Sequence, residues 1–342
     1  MKQARKAIIA LCTVALMGAL LAACGSTSTE PSSKSEAKSE QAASNGTSPA
    51  SQQAADGDKQ SALDTRKYTD YKGHEVDIPV SPQQVIFWGE TIGDLLPLGV
   101  TAVGGAANWI KGHVYEDQMK NVEDLGFPIN LEKTLEVHPD LIIMGNVDEK
   151  EYEQLSKIAP TLMFNTFDPL ETRLPRLGDI LGKKQEAEQW LANYNAKAES
   201  MWKELQAAGV MPGETATVLT YYPGDRLFVM AATGLSQVLY HPNGFKPAAT
   251  IQELLDTNTG FKQISMELLP EFAGDRIFIL NPVEEEPQRS TEELMKNKIW
   301  LDLPAVKQGH VYSIDILKSS SDATTRERLL EDLPKMLKML KK

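Results

Sequence analysis

Cysteine is nearly missing from this chain: there are two, Cys12 and Cys24, in 342 residues. Cys12 lies in an apolar N-terminal run. Once that run is removed Cys24 stands alone, so no internal disulfide can form. The folded part must be held by an apolar core, and the roughly 275 residues that follow can build one, as a large domain or two lobes. Positive charge is also in deficit, with 35 Lys and Arg against 47 Asp and Glu. That balance argues against nucleic acid as a partner. The chain lacks a Gly-x-x-x-x-Gly-Lys-Ser/Thr phosphate loop, a Gly-x-Gly-x-x-Gly turn and a His-Glu-x-x-His pair. Gly234-Leu235-Ser236-Gln237-Val238 lacks the last glycine of a nucleophile elbow. An enzyme is therefore not expected, and no cofactor. The five histidines, His74, His113, His138, His241 and His310, are far apart without His-x-x-x-His spacing. Each is expected on the surface or in a turn, and no direct metal site is expected.

What is present begins with an export signal. Lys2, Arg5 and Lys6 precede an apolar stretch over 7–20, shorter than the ~20 residues of a membrane span. Leu21-Ala22-Ala23-Cys24 resembles a bacterial lipobox, in which the cysteine becomes the lipid-bearing first residue. Residues 1–23 are thus read as a lipoprotein signal peptide and Cys24 as the lipidation site. Removing the signal leaves 32 basic against 47 acidic residues, a net charge of −15. Residues 24–65 are rich in Ser, Ala, Gln, Glu and Lys and are expected to be the lipidated cysteine and a disordered tether.

Ordered patterns follow. A Lys72-Gly73 turn between polar strand-like runs predicts a hairpin over 68–79. Apolar runs at 85–88, 102–106, 141–144 and 161–165 read as strands, with helices at 90–98 and 149–158. Residues 184–208 contain no Pro or Gly, and apolar residues recur at helical spacing through Trp190, Tyr194, Met201, Trp202 and Leu205. At 1.5 Å per residue that rod is roughly 37 Å long. The pattern then restarts, with strands at 218–222, 227–230, 277–280 and 311–314 and helices at 235–240, 266–272, 290–296 and 322–340. Glu132 and Asp140 before one apolar strand match Glu267 and Asp275 before another. The reading is α/β, two Rossmann-like lobes bridged by one long helix. The boundaries are an N-terminal lobe over 66–183, a bridging helix over 184–209 and a C-terminal lobe over 210–342.

Three stretches resemble the substrate-binding lipoproteins of bacterial iron–siderophore ABC importers, the ferrichrome-binding type. They are Tyr68-Thr69-Asp70 with Gly73-His74-Glu75-Val76 and Ile78-Pro79, then Glu132 to Ile142, then Trp300 to Tyr312. Gln84 departs from the arginine usual before the first strand. The resemblance implies a helical-backbone metal/siderophore-binding protein fold. It implies an iron(III)–siderophore ligand in the interlobe cleft, of hydroxamate type, delivered to an ABC permease. Ferric citrate, a catecholate siderophore, haem, bare Fe(III) and cobalamin remain alternatives. The expected setting is a monomer, lipid-anchored on the extracytoplasmic face of the cell membrane, at a Gram-positive surface.

Ligands of α/β lobes sit beyond the carboxyl ends of the strands. In the first lobe that rule gives Trp88, Glu90 and Thr91, then Asn108, Trp109 and Lys111, then Asn146, Thr166 and Phe167. In the second it gives Tyr221, Tyr222, Arg226, Glu284, Arg289 and Lys318. A ferric siderophore needs aromatic walls and cationic or amide donors for its oxygens. Trp88, Trp109, Tyr221 and Tyr222 supply the first, and Lys111, Arg226 and Arg289 the second. The resemblance favours Tyr221, Tyr222 and Arg226 as ligand contacts. Core packing explains Trp88 and Tyr221 equally well, and Tyr222 to Arg226 reads equally as a plain hairpin turn. A tyrosine pair on bare Fe(III) is disfavoured because neighbours in a strand face opposite ways. The family also presents an acidic residue from each lobe to the permease. Glu116, or Asp117, and Glu253 are the positions expected to do so.

Overall fold

A computed structural model describes residues 64–145, 148–282 and 285–339. The expected signal peptide, Cys24, nearly all of the expected tether, Asn146 and Glu284 lie outside the described residues. The first lobe opens with the hairpin, Thr65–Thr69 paired antiparallel with Glu75–Pro79. Gly73 turns it at φ +98°, a conformation only glycine adopts without strain.

Behind the hairpin stands a five-stranded, all-parallel sheet. Its order is Glu123–Asp124, Gly104–Gly105, Val85–Trp88, Leu141–Gly145 and Thr161–Phe164. Alternation along Val85–Trp88 sends Val85 and Phe87 into one apolar core and Ile86 and Trp88 into another. Both faces are covered, as a parallel sheet requires. The expected helix over 90–98 is two short 3₁₀ turns, Ile92–Asp94 and Leu96–Leu98. Pro97 has no N–H to return to the preceding turn, which removes a helical hydrogen bond there and favours the short turns.

The second sheet runs Phe261–Ile264, Arg226–Met230, Thr215–Tyr222, Arg276–Asn281, Val311–Asp315. Its first two pairings are antiparallel and its last two parallel. The repeated aspartates do the same work in each lobe. Asp140 accepts the backbone N–H groups of Gln83 (2.6 Å) and Gln84 (3.0 Å). Asp275 accepts the N–H of Thr215 at 2.8 Å and its hydroxyl at 2.8 Å. Each carboxylate, at the head of one strand, ties down the entry to the lobe's first parallel strand.

The bridging helix is Lys184–Ala207. Ala187, Trp190 and Leu191 pack on the first lobe's core, and Tyr194, Ala198, Met201, Trp202 and Leu205 on the second's. One apolar stripe therefore changes partner midway, where Trp190 stacks on Tyr194 with centroids 5.1 Å apart. Helix Leu170–Ile180 lies beside its start. There Gly178 allows the close approach, since a Cβ would lie 2.8 Å from that of Ala187. All four cores draw on residues between Tyr68 and Leu337, so the compact unit 59–342 contains its own core. No helix among the described residues is long and apolar enough to cross a membrane.

The hairpin is pinned to the lobe by an imidazole between two carboxylates. His74 Nδ1 lies 2.8 Å from Asp70 and Nε2 2.9 Å from Glu149, and the ring stacks on Tyr152 at 4.0 Å. Burial alone would lower the His74 pKa. The hydrogen bond and charge of Asp70, then those of Glu149, raise it above the ordinary histidine value. A raised folded-state pKa gives stability that is complete below the unfolded pKa and fades as pH rises through the folded one. Replacing His74 by Gln should therefore cost about 1–2 kcal/mol near pH 5.5 and clearly less near pH 9. Urea unfolding at the two pH values measures this, and a pH-independent loss contradicts it.

Candidate functional site

The carboxyl ends of the first sheet's strands open into a cavity of about 220 Å³ between the lobes. Glu90 follows strand Val85–Trp88, and Thr166 and Phe167 follow Thr161–Phe164. His113 completes that side, Ala232, Thr233 and Gln237 form the opposite wall, and Ser320 and Ser321 close it. The Thr166 hydroxyl donates to Glu90 at 2.6 Å. Phe167 is 66% exposed and offers an apolar face at the mouth.

The floor is a buried charged junction. Arg173 and Asp94 are 1% and 0% exposed. Arg173 Nε donates to Asp94 Oδ2 at 2.6 Å and Nη2 to Oδ1 at 3.3 Å. Nη1 reaches the carbonyls of Thr166 (3.2 Å) and Asp168 (2.8 Å), and Nη2 that of Ser321 (2.8 Å). Asp94 also accepts the backbone N–H of Ala323 at 2.7 Å, and Thr324 donates to the Gly93 carbonyl at 2.7 Å. First-lobe residues thus seat the start of the terminal helix, Ala323–Met339. Arg173 lines the cavity with its donors already engaged, so it shapes the site rather than offering a free cation.

Asp322 caps that helix, accepting the Thr325 N–H (2.9 Å) and hydroxyl (2.8 Å). It packs so tightly on Gly93 that any Cβ there would meet Asp322 Oδ1 at 2.2 Å. Burial, then the charge of Asp94, pushes the Asp322 pKa up to about 7, against the pull of Thr325 and Arg173.

Two buried polar atoms of cavity residues, His113 Nδ1 and Thr233 Oγ1, have no hydrogen-bond partner among the described residues. Buried polar atoms are seldom left unpaired, so these two stand out among the cavity residues. Burial lowers the His113 pKa, keeping its imidazole neutral near pH 7. This histidine does lie in a turn-rich loop, as expected, and from there it is half-buried and lines the cleft. Its role is invisible in sequence because it sits in a loop far from any strand end.

Glu90, Thr166 and Phe167, drawn from the strand-end rule, do line this cavity. Trp88, Trp109, Lys111, Tyr221, Tyr222, Arg226 and Arg289 do not. Trp88 is 5% exposed and donates to the Gly126 carbonyl at 3.0 Å. Its ring packs edge-on to Trp109 and flat on Phe127, so it is a core residue. Tyr221 points into the other core of the second lobe, its hydroxyl donating to Asp225 at 2.6 Å. Burial and then Asp225 push its pKa up to about 12, so the phenol keeps its proton at neutral pH.

Tyr222 faces the opposite side of the strand, as alternation demands. It packs edge-on to Phe228 at 6.1 Å, Phe228 packs on Phe261 at 6.2 Å, and the Arg226 guanidinium lies 5.5 Å over Tyr222. Register places Phe228 opposite Thr220 and Met230 opposite Phe261, so this aromatic row shares the sheet face that carries Met230. Phe228 and Phe261 were not singled out from sequence, though alternation from Tyr222 through the hairpin finds Phe228. Lys111, Arg289, Lys318, Glu116, Asp117 and Glu253 are exposed. Among the described residues no cluster of three or more His, Cys, Asp or Glu could hold a metal ion.

Raising the Asp322 pKa in the fold means that the folded state holds a proton the unfolded chain gives up. Stability from this group is complete below about pH 4 and declines as pH rises toward 7. Asp322→Asn removes the titration. Its stability relative to the parent should improve across that window, at a slope on the order of 1 kcal/mol per pH unit. Thermal unfolding between pH 4 and 8 checks it, and a constant difference contradicts it.

Comparison with known proteins places this geometry. Residues 86–316 match the periplasmic binding protein family. The iron(3+)-hydroxamate-binding protein YxeB of Bacillus subtilis is 33% identical over 258 residues, covering 73% of this chain and 78% of that protein. The iron(3+)-hydroxamate-binding protein FhuD of Bacillus subtilis is 28% identical over 310 residues, 88% of this chain and 87% of that one. The crystal structure of Staphylococcus aureus SirA complexed with staphyloferrin B superposes with a TM-score of 0.71 at 27% identity, covering 80% of this chain and 99% of that one.

Proposed function

Given that the chain belongs to the periplasmic binding protein family, we propose that it captures an iron(III)–siderophore complex of hydroxamate type for an ABC import permease. The observation that carries this reading is the interlobe cavity at the strand ends, in a chain whose relatives are named for iron–hydroxamate binding. No bond is made or broken in such a role. The iron arrives inside its chelator, so no protein side chain need ligate it. His113, Thr233 and the Glu90–Thr166 pair would hydrogen-bond the chelate oxygens and amides. Phe167 would cover an apolar face of the ligand. Beyond the cavity's own lining, Tyr222, Phe228 and Arg226 of the second lobe would supply an aromatic wall and a cation to the part of a bulky ligand that extends out of it. Trp88 would support the fold beneath, not touch the ligand.

The finer setting belongs to the same proposal. Cys24 would carry the lipid that holds a monomer on the extracytoplasmic face of the membrane, at a Gram-positive cell surface. Glu116 and Glu253, exposed on the first and second lobes, would dock to the permease. A second reading is a staphyloferrin-type ferric complex, favoured by the ligand in the staphylococcal structure.

Tryptophan quenching of unit 59–342 tests the reading. The titrants are ferrichrome, ferrioxamine, staphyloferrin B, a ferric catecholate, haem and ferric citrate. Submicromolar saturation by a hydroxamate complex is expected. Arg226→Ala should weaken it about tenfold or more, since a charge-assisted hydrogen bond is worth ~1.5–3 kcal/mol. Trp88→Phe should lower the melting temperature and leave affinity near that of the parent. Saturation by another complex alone replaces the ligand, and none by any of the six refutes iron–chelate binding.

A further inference from the structure

A second cavity, of about 350 Å³, flanks the cleft along the bridging helix. That volume lies within the ~300–1,000 Å³ typical of small-molecule sites. Its walls are apolar: Pro169 from the first lobe, Ala198 from the bridging helix, Val238, Tyr240 and Leu255 from the second lobe, and Leu330 from the terminal helix. One cation stands in it. Arg326 is 4% exposed, and its guanidinium lies 5.1 Å from the ring centroid of Tyr194. Nε donates to the Tyr194 hydroxyl at 3.2 Å and Nη1 to Gln237 at 3.1 Å. Nη2 donates no hydrogen bond among the described residues. Among the described residues its one carboxylate within ion-pair distance is Glu171, at 3.6 Å with a side chain 54% exposed. A buried guanidinium is costly unless an anion meets it with good geometry, and this partner is long, solvated and one-sided. His241 is on the same wall. Its Nδ1 accepts the Asn243 N–H at 3.1 Å, so in the neutral ring the proton sits on Nε2, a second donor.

We propose that this cavity is a second binding site, for a small monocarboxylate with an apolar tail. The carboxylate takes the Nη2 edge of Arg326 in place of Glu171, and the tail lies among Pro169, Ala198, Val238 and Leu330. An occupant touches both lobes and the bridging helix at once, and so clamps the seam between them. Gln237 lines both cavities and accepts from Arg326, which ties this site to the cleft.

Calorimetric titration of unit 59–342 with hexanoate and with hexanamide, its neutral isostere, tests the proposal. Hexanoate should bind saturably with a Kd on the order of 1 mM. Hexanamide should bind at least about tenfold more weakly. Glu171→Gln removes the competing carboxylate and should tighten hexanoate binding severalfold. Asn195→Trp, at an exposed position on the rim, should close the cavity and abolish hexanoate binding without loss of fold. Equal binding of acid and amide, an unchanged affinity in Glu171→Gln, or hexanoate binding that survives Asn195→Trp overturns the site. So does the absence of saturable heat.

Discussion

The Arg173–Asp94 pair is the contact on which the cleft's architecture rests. Both side chains are removed from water, which costs several kcal/mol per ion before any attraction is counted. What offsets that cost is completeness. The guanidinium fork meets a carboxylate on one edge and three carbonyls on the others, and the carboxylate takes the first N–H of the terminal helix as well. A lysine could not replace Arg173, because a point charge cannot hold four acceptors in one plane. Through this one side chain the loop after the first lobe's last strand, the 3₁₀ turn after its first strand and the entry to the terminal helix are fixed together. Those same segments carry Glu90, Thr166, Phe167, Ser320 and Ser321, the residues that shape the cleft.

The bridging helix sets the other constraint. Its 24 residues span about 36 Å and pack on both lobes along one stripe. Such a rod resists bending, since bending would open two cores. The lobes are also tied in front by the arginine junction. A site bounded in this way is largely formed before the ligand arrives, so little ordering entropy remains to be lost on binding. On the proposed reading, selectivity would then rest on the fit of a few polar groups and the aromatic faces, not on wide closure.

Much of this was legible in the sequence because it rests on local chemistry. The hairpin follows from Lys72-Gly73, the strands from short apolar runs, and the rod from a long stretch free of Pro and Gly. The repeated aspartates pointed to two related lobes. The strand-end rule reached Glu90, Thr166 and Phe167 without any coordinates. Other features were hidden for physical reasons. Helix Leu170–Ile180 contains Pro175 and Gly178, so it does not look helical, and with it Arg173 was missed. Alternation separates Tyr221 from Tyr222, but which one meets the core depends on how the sheet is covered. The same holds for Trp88, an aromatic residue at a strand end that neighbouring rings turn into core. His113 and Arg326 act through tertiary placement, which no local pattern encodes.

The claim at the centre of this account is that the ligand sits between the lobes above the Arg173 junction. A crystal structure of unit 59–342 with ferrioxamine or ferrichrome measures it most directly. The account predicts an iron complex lying between the Glu90–Thr166–Phe167 side and the second lobe, with His113 Nδ1 or Thr233 Oγ1 hydrogen-bonded to it and the Arg173–Asp94 pair intact. Iron ligated by a protein side chain, a complex bound away from the seam, or a bound form in which Arg173 has left Asp94 would contradict it.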